Sequence, residues 1–238
     1  MKERIKRLRH EYRSSLKAHA AEEMADLLLF RPFGFVIANA LRSSTVRPLH
    51  ITILSMIAGV GGGILLGVSA ESGLVLAVFL LWLSTVLDCA DGQLARLQHS
   101  TSSAGRIVDG IIDYAVGIAV FAGIGFRGNP LVSDTAWWGI VGAAGMSYAL
   151  QAMMYDLFRT EYLGSLPTRE FTGPPKDTRR SASLLTSDGL TGRISSRYSH
   201  YQKRFGEWLG TVEDNEPTRR HLRLWGLNGT STHMLVLI

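Results

Sequence analysis

Asp88-Cys89-Ala90-Asp91-Gly92-Gln93-Leu94-Ala95-Arg96 and, eight residues later, Gly105-Arg106-Ile107-Val108-Asp109-Gly110-Ile111-Ile112-Asp113 decide the fold of this chain. Two apolar runs flank them, Gly73 to Leu87 before and Tyr114 to Phe126 after. An ionised carboxylate beside a lipid core is costly unless it is paired or coordinates a cation. Asp88, Asp91, Asp109 and Asp113 in one such place therefore need a physical reason.

Spacing supplies one. In a helix, Asp88, Asp91, Gly92, Ala95 and Arg96 fall at i, i+3, i+4, i+7 and i+8, which is one face. Gly105, Asp109 and Asp113 fall at i, i+4 and i+8, again one face. A polar turn from Gln98 to Ser103 would bring the two faces together, so that the four carboxylates converge. Hard divalent cations such as Mg²⁺ or Mn²⁺ prefer such oxygens, often beside substrate phosphates. Gly92 and Ala95 leave room for something bulky, and the planar cation of Arg96 suits a phosphate. Three other readings compete. Asp88, Asp91 and Gly92 look like half a calcium loop, but its other ligands are absent and the flanks are apolar. A Mg²⁺-dependent membrane prenyltransferase would carry a second aspartate-rich motif. An ion or proton carrier could use intramembrane aspartates, but has no need of Gly92, Ala95 and Arg96 at these steps.

The chain has 238 residues, 46% hydrophobic and 19% charged, with a mean hydropathy of +0.13. That average conceals an apolar stretch, 49–155, between polar, basic flanks, 1–47 and 157–224. The expected class is all-α, a polytopic transmembrane helical bundle with amphipathic interfacial helices. Four parts follow: a basic N-terminal segment (1–47), a transmembrane catalytic domain (48–156), a polar loop with an amphipathic helix (157–224), and the start of a fifth span (225–238). The single cysteine, Cys89, excludes an internal disulfide. It is expected to point away from the Asp88/Asp91 face and fill a small apolar gap. The net charge of +5 fits a surface of anionic membrane lipids, and no nucleic-acid motif is present.

Ile5, Leu8, Tyr12 and Leu16 recur at helical steps among Lys and Arg, which predicts a basic amphipathic helix, either on the membrane surface or simply solvated. The run Phe33 to Ala38 is too short to span and reads as interfacial. Pro48 suits a first helical turn. Four full spans are expected at about 49–69, 73–93, 106–126 and 135–156. Gly59, Gly61, Gly62, Gly63 and Gly67 in the first, and Gly139, Gly142 and Gly145 in the fourth, would permit close helix contact. The basic N-terminus and the basic segment after the fourth span put both on the cytoplasmic side. The Asp88–Asp113 turn then opens to the cytoplasm from the cell (inner) membrane. Tyr198, Tyr201, Phe205, Trp208, Leu209 and Val212 form an aromatic stripe that reads as an interfacial helix or as a contact within a homodimer.

The order D-x2-D-G-x2-A-R-x8-G-x3-D-x3-D resembles the signature of the CDP-alcohol phosphotransferase (CDP-alcohol phosphatidyltransferase) family. All eight positions are present, and the resemblance covers roughly Arg31 to Glu161. It implies a membrane transferase that moves a substituted phosphate from a CDP-alcohol, foremost CDP-diacylglycerol, to an acceptor alcohol. CMP is released, and the setting is phospholipid biosynthesis. The resemblance also implies two Mg²⁺ or Mn²⁺ ions on Asp88, Asp91, Asp109 and Asp113, with Asp113 as the catalytic base. The nucleotide would bind at Asp88, Gly92, Ala95, Arg96 and Gly105. The family's P-N-x-x-T pattern adds Thr52 after Pro48, although Leu49 stands where Asn is expected. Arg106 and Arg159 are candidates for a phosphorylated acceptor, or plain topology anchors. The family has six spans, so the chain is expected to be either a fragment or a departure from that pattern.

Overall fold

The structure, a computed structural model, describes residues 2–16, 26–165 and 204. Among them there is no strand. The helices are α1 (Lys2–Ser15), α2 (Arg31–Leu41), α3 (Pro48–Val68), α4 (Glu71–Leu97), α5 (Ser103–Arg127) and α6 (Asp134–Ser165), and a single wide π-helical turn, Asp26–Phe30, leads into α2. Among the described residues, three helices are by length and composition able to cross a membrane: Pro48–Val68, Glu71–Leu97 and Val108–Arg127. The all-α bundle and the first three spans match the expectation within a few residues.

The helix ends follow local chemistry. Pro48 opens α3, where its missing N–H costs nothing, and the backbone N–H of Arg47 donates to His50 Nδ1 (3.2 Å). α4 closes at Leu97. His99 takes a left-handed conformation (φ 51°), and Ser100 N–H reaches back to Ala95 O (2.9 Å), a closure that satisfies end carbonyls. Ser102 caps α5 by accepting from Gly105 N–H (2.9 Å). Arg127, in the last turn of α5, donates to Leu66 O and Ser69 O at the end of α3, where a cation meets the negative end of the helix dipole.

α3 packs against both α4 and α5, α2 packs against α4, and α6 packs against α5. One apolar cluster joins Ala38, Ile51, Leu87, Ala90 and Leu94 across α2, α3 and α4. Another joins Leu81, Ile112, Val116 and Val120 across α4 and α5. Small residues bring α3 and α5 together backbone to backbone. A Cβ on Gly63 would stand 2.6 Å from the Ala119 carbonyl carbon, and one on Gly123 would collide with the Gly63 carbonyl oxygen. Between α3 and α4, Ser55 Oγ donates to Ser84 O (3.1 Å) and Ser84 Oγ to Ser55 O (2.9 Å). This reciprocal pair satisfies both hydroxyls in an apolar setting.

Three details differ from the expectation. Gly139 and Gly142 of α6 have nothing within 4 Å of a built Cβ, and Gly145 meets only Phe121 at ordinary contact distance. These glycines therefore do not bring helices together among the described residues; Gly142 and Gly145 instead line an apolar cavity of about 280 Å³ between α5 and α6. α6 runs on to Ser165, past the expected boundary at 156, because no Gly or Pro stands between Asp156 and Gly164. The N-terminal helix stops at Ser15. Residues 166–203 and 205–238, with the expected aromatic stripe and the expected fifth span, lie outside the described residues.

Candidate active site

The whole first half of the motif, Asp88 to Arg96, lies toward the C-terminal end of α4, and Asp109 lies in the second turn of α5. The capped turn between Leu97 and Ser103 folds α5 back, so that the two faces meet. One carboxylate oxygen from each of Asp88, Asp91 and Asp109 lies within 4.8 Å of the others. Asp91 is buried (5% exposed), while Asp88 and Asp109 are half-buried. Full charges at that spacing repel by about 3 kcal/mol per pair at an effective dielectric of about 20. Such a trio therefore calls for a cation or a proton. All three donors are hard oxygens. Among the described residues no His or Cys joins them, so the set suits Mg²⁺ or Mn²⁺ rather than Zn²⁺.

The fourth carboxylate lies at the edge of the trio. Asp113 is exposed, one turn beyond Asp109, and is not one of the three within 4.8 Å. A helical turn carries it about 5 Å along the axis, and its charge still acts on that of Asp88. Gly92 presents a nearly bare backbone. The atoms nearest to a Cβ built there belong to the Arg96 guanidinium, at 3.5–3.9 Å. Arg96 thus lies over Gly92 on the site face, with its Nε donating to Ser15 O at the end of α1. Ala95 is half-buried and Gly105 exposed. Thr52 is buried, and its hydroxyl donates to Pro48 O (3.1 Å), so that donor is occupied within its own helix. The side chains of Arg106 and Arg159 lie outside the described part.

Cys89 faces the other way, as expected. It packs with Phe30 and Val86 and lies 4.0 Å from Asp26 Oδ1.

The sequence model of the CDP-alcohol phosphatidyltransferase family matches residues 45–175, more than half of the chain. The chain belongs to the CDP-alcohol phosphatidyltransferase family. No curated protein sequence matches it significantly. Membership implies the transfer of a phosphate-alcohol group from a CDP-alcohol in lipid synthesis, and the three apolar helices make it a membrane protein. The family's divalent metal fits the carboxylate trio on α4 and α5.

Sequence reasoning missed a second polar cluster behind the family motif. Gln93, 0% exposed, donates through Nε2 to Arg31 O (3.3 Å) and to Ser15 Oγ (3.5 Å). Arg31 lies 3.9 Å from Asp26, with both side chains largely buried. A signal for it existed: Asp26 and Arg31 bracket the apolar run Leu27 to Phe30, and buried charges are rarely left unpaired.

Proposed function

We propose that this protein transfers a substituted phosphate from a CDP-alcohol, most simply CDP-diacylglycerol, to a second alcohol, with release of CMP. The observation that carries this reading is the carboxylate trio shared by α4 and α5 in a chain of this family.

Asp88, Asp91 and Asp109, with Asp113 beside them, would hold two Mg²⁺ or Mn²⁺ ions, which when bound neutralise the pyrophosphate. The chain's own residues account for the rest. The bare backbone at Gly92, with Ala95 one turn on, lets the cytidine nucleotide lie against α4. Arg96 pairs with a donor phosphate, and Gly105 keeps the start of α5 open beside it. Asp113, exposed and one turn from the trio, takes the proton of the acceptor hydroxyl. The acceptor oxygen forms a bond to the phosphorus that carries the donor alcohol. The bond from that phosphorus to the CMP phosphate breaks, and CMP leaves with the electron pair. Arg106, near the start of α5, and Arg159, in α6, would meet a phosphorylated acceptor.

The site is read as facing the cytoplasm of the cell (inner) membrane, because the ends of α3, α4 and α5 that carry it share a side with the basic N-terminus. α6 is read as a fourth span. A Ser14→Cys variant should then label only after permeabilisation; Ser14 is exposed, and Cys89 is buried. The test of the reaction is incubation of membranes with labelled CDP-diacylglycerol and a panel of acceptor alcohols. Acceptor-dependent CMP release supports the reading. Labelled donor left intact with every acceptor and with either metal overturns it.

A further inference from the structure

The family match begins at residue 45, yet the N-terminal segment reaches into the site. α1 is docked by its C-terminal end. Glu11 Oε1 pairs with Arg42 (2.9 Å), the Tyr12 ring meets Phe35 edge-on at 5.2 Å, and Ser15 and Leu16 are buried. Ser15 touches the family motif twice. Its carbonyl accepts from Arg96 Nε, and its hydroxyl accepts from Gln93 Nε2 (3.5 Å) while donating to Tyr12 O (2.7 Å). The Gln93 amide also donates to Arg31 O at the head of α2 (3.3 Å), so one fully buried side chain ties α1 and α2 to α4. The fit is tight, since a Cβ on Gly34 would stand 2.8 Å from Gln93 Oε1.

The direction of the Arg96 bond matters. It is made at Nε, to a carbonyl at the C-terminal end of a helix, where the dipole is negative. It therefore fixes the plane of the guanidinium over the bare Cα of Gly92. An arginine held in one plane recognises a phosphate by its fork, whereas a loose one first has to lose side-chain entropy.

We propose that Gln93 and Ser15 are positioning residues for Arg96, and that the end of α1 is thereby part of the donor-phosphate site. Gln93 does not touch substrate. It holds the Ser15 carbonyl where Arg96 needs it. The proposal rests on the transferase reading above, in which Arg96 meets a donor phosphate.

The test is a double-mutant cycle on the purified full chain, titrated calorimetrically with CDP in Mg²⁺. Arg96→Ala should weaken CDP binding about tenfold or more, the worth of a charge-assisted hydrogen bond. Gln93→Leu, of similar volume, should weaken it about tenfold, and in the Arg96→Ala background it should have no further effect. Ser15→Ala, which removes one hydroxyl, should move the affinity the same way about threefold and be silent in that background too. It carries the test alone if Gln93→Leu does not fold. In turnover, both variants should raise the donor KM and leave the acceptor KM unchanged. A merely structural role would lower the folded fraction and leave the CDP affinity of that fraction alone. Full additivity of Gln93→Leu, or of Ser15→Ala, with Arg96→Ala overturns the positioning role and leaves the transferase reading intact. Unchanged CDP affinity in Arg96→Ala overturns the phosphate role of Arg96 and the brace with it. Absence of CDP binding in the unmutated chain marks a failure of the transferase reading itself.

Discussion

The two ends of the α3–α4–α5 bundle are built from different materials. At one end, Gly63 and Gly67 of α3 press on Ala119 and Gly123 of α5 with nothing but backbone between them. At the other, the end of α4 and the start of α5 carry three close carboxylates, with Arg96 beside Gly92. The same bundle thus closes on backbone at one end and gathers polar groups at the other. A seam without side chains has no rotamers to rearrange, so it can hold the helices at a set angle. The opposite end can then keep like charges close together, an arrangement that calls for a cation or a proton between them. The difference teaches that glycine performs two tasks here. At 63 and 123 it removes a side chain so that protein can touch protein. At 92, on the transferase reading proposed above, it leaves room beside Arg96 for a ligand.

The largest expected effect comes from the open end. Asp91→Asn or Asp109→Asn should reduce CMP release to background while the protein still inserts and folds, since removal of a like charge cannot destabilise the bundle through repulsion. Near-normal turnover in both would break the comparison, because the open end would then be no more than a polar surface. Next comes the closed end. Gly63→Ala should lower stability by about 1–3 kcal/mol through overpacking. The loss should be visible as a lower thermal midpoint in detergent, with CDP affinity of the folded fraction unchanged. If it instead lowers CDP affinity at full stability, the seam and the site are not separate in function. A smaller effect is expected between them, at the Ser55–Ser84 pair. Ser55→Ala should cost about 0.6 kcal/mol, the usual worth of an interhelical hydrogen bond in a membrane. The smallest belongs to α6. Gly142→Ala meets nothing within 4 Å and should shift the midpoint within the range of about 0.5 kcal/mol expected of a surface change. A large destabilisation there would mean that residues outside the described part pack on that face.

Much of the open end could be read from spacing. Asp88, Asp91, Gly92 and Arg96 share a helical face whatever the rest of the chain does, and a short turn leaves α5 little choice but to bring Asp109 opposite. The apolar lengths likewise announced α3, α4 and α5. What spacing could not show was how deeply each carboxylate sits: Asp91 is buried, Asp88 and Asp109 are half-buried, and Asp113, one turn beyond Asp109, is exposed. The brace behind the motif was hidden for a different reason. Gln93 sits inside the signature at a position that the spacing leaves unspecified, and its partner Ser15 is 78 residues away in the chain. Local periodicity carries no information about a contact of that range. The α6 glycines misled because a run of small residues marks where helices can approach, not where a partner stands.

The central claim is that the carboxylates of α4 and α5 hold a cation that a CDP-alcohol shares. It is tested most directly by calorimetric titration of the purified protein with CDP, once in Mg²⁺ and once in EDTA. The account predicts CDP binding at least about tenfold tighter in Mg²⁺, since such an ion is held by carboxylates and substrate phosphates together. It also predicts that Asp91→Asn abolishes the difference. Equal CDP affinity in Mg²⁺ and in EDTA would contradict it, and the aspartates would then be better read as a relay for protons or ions.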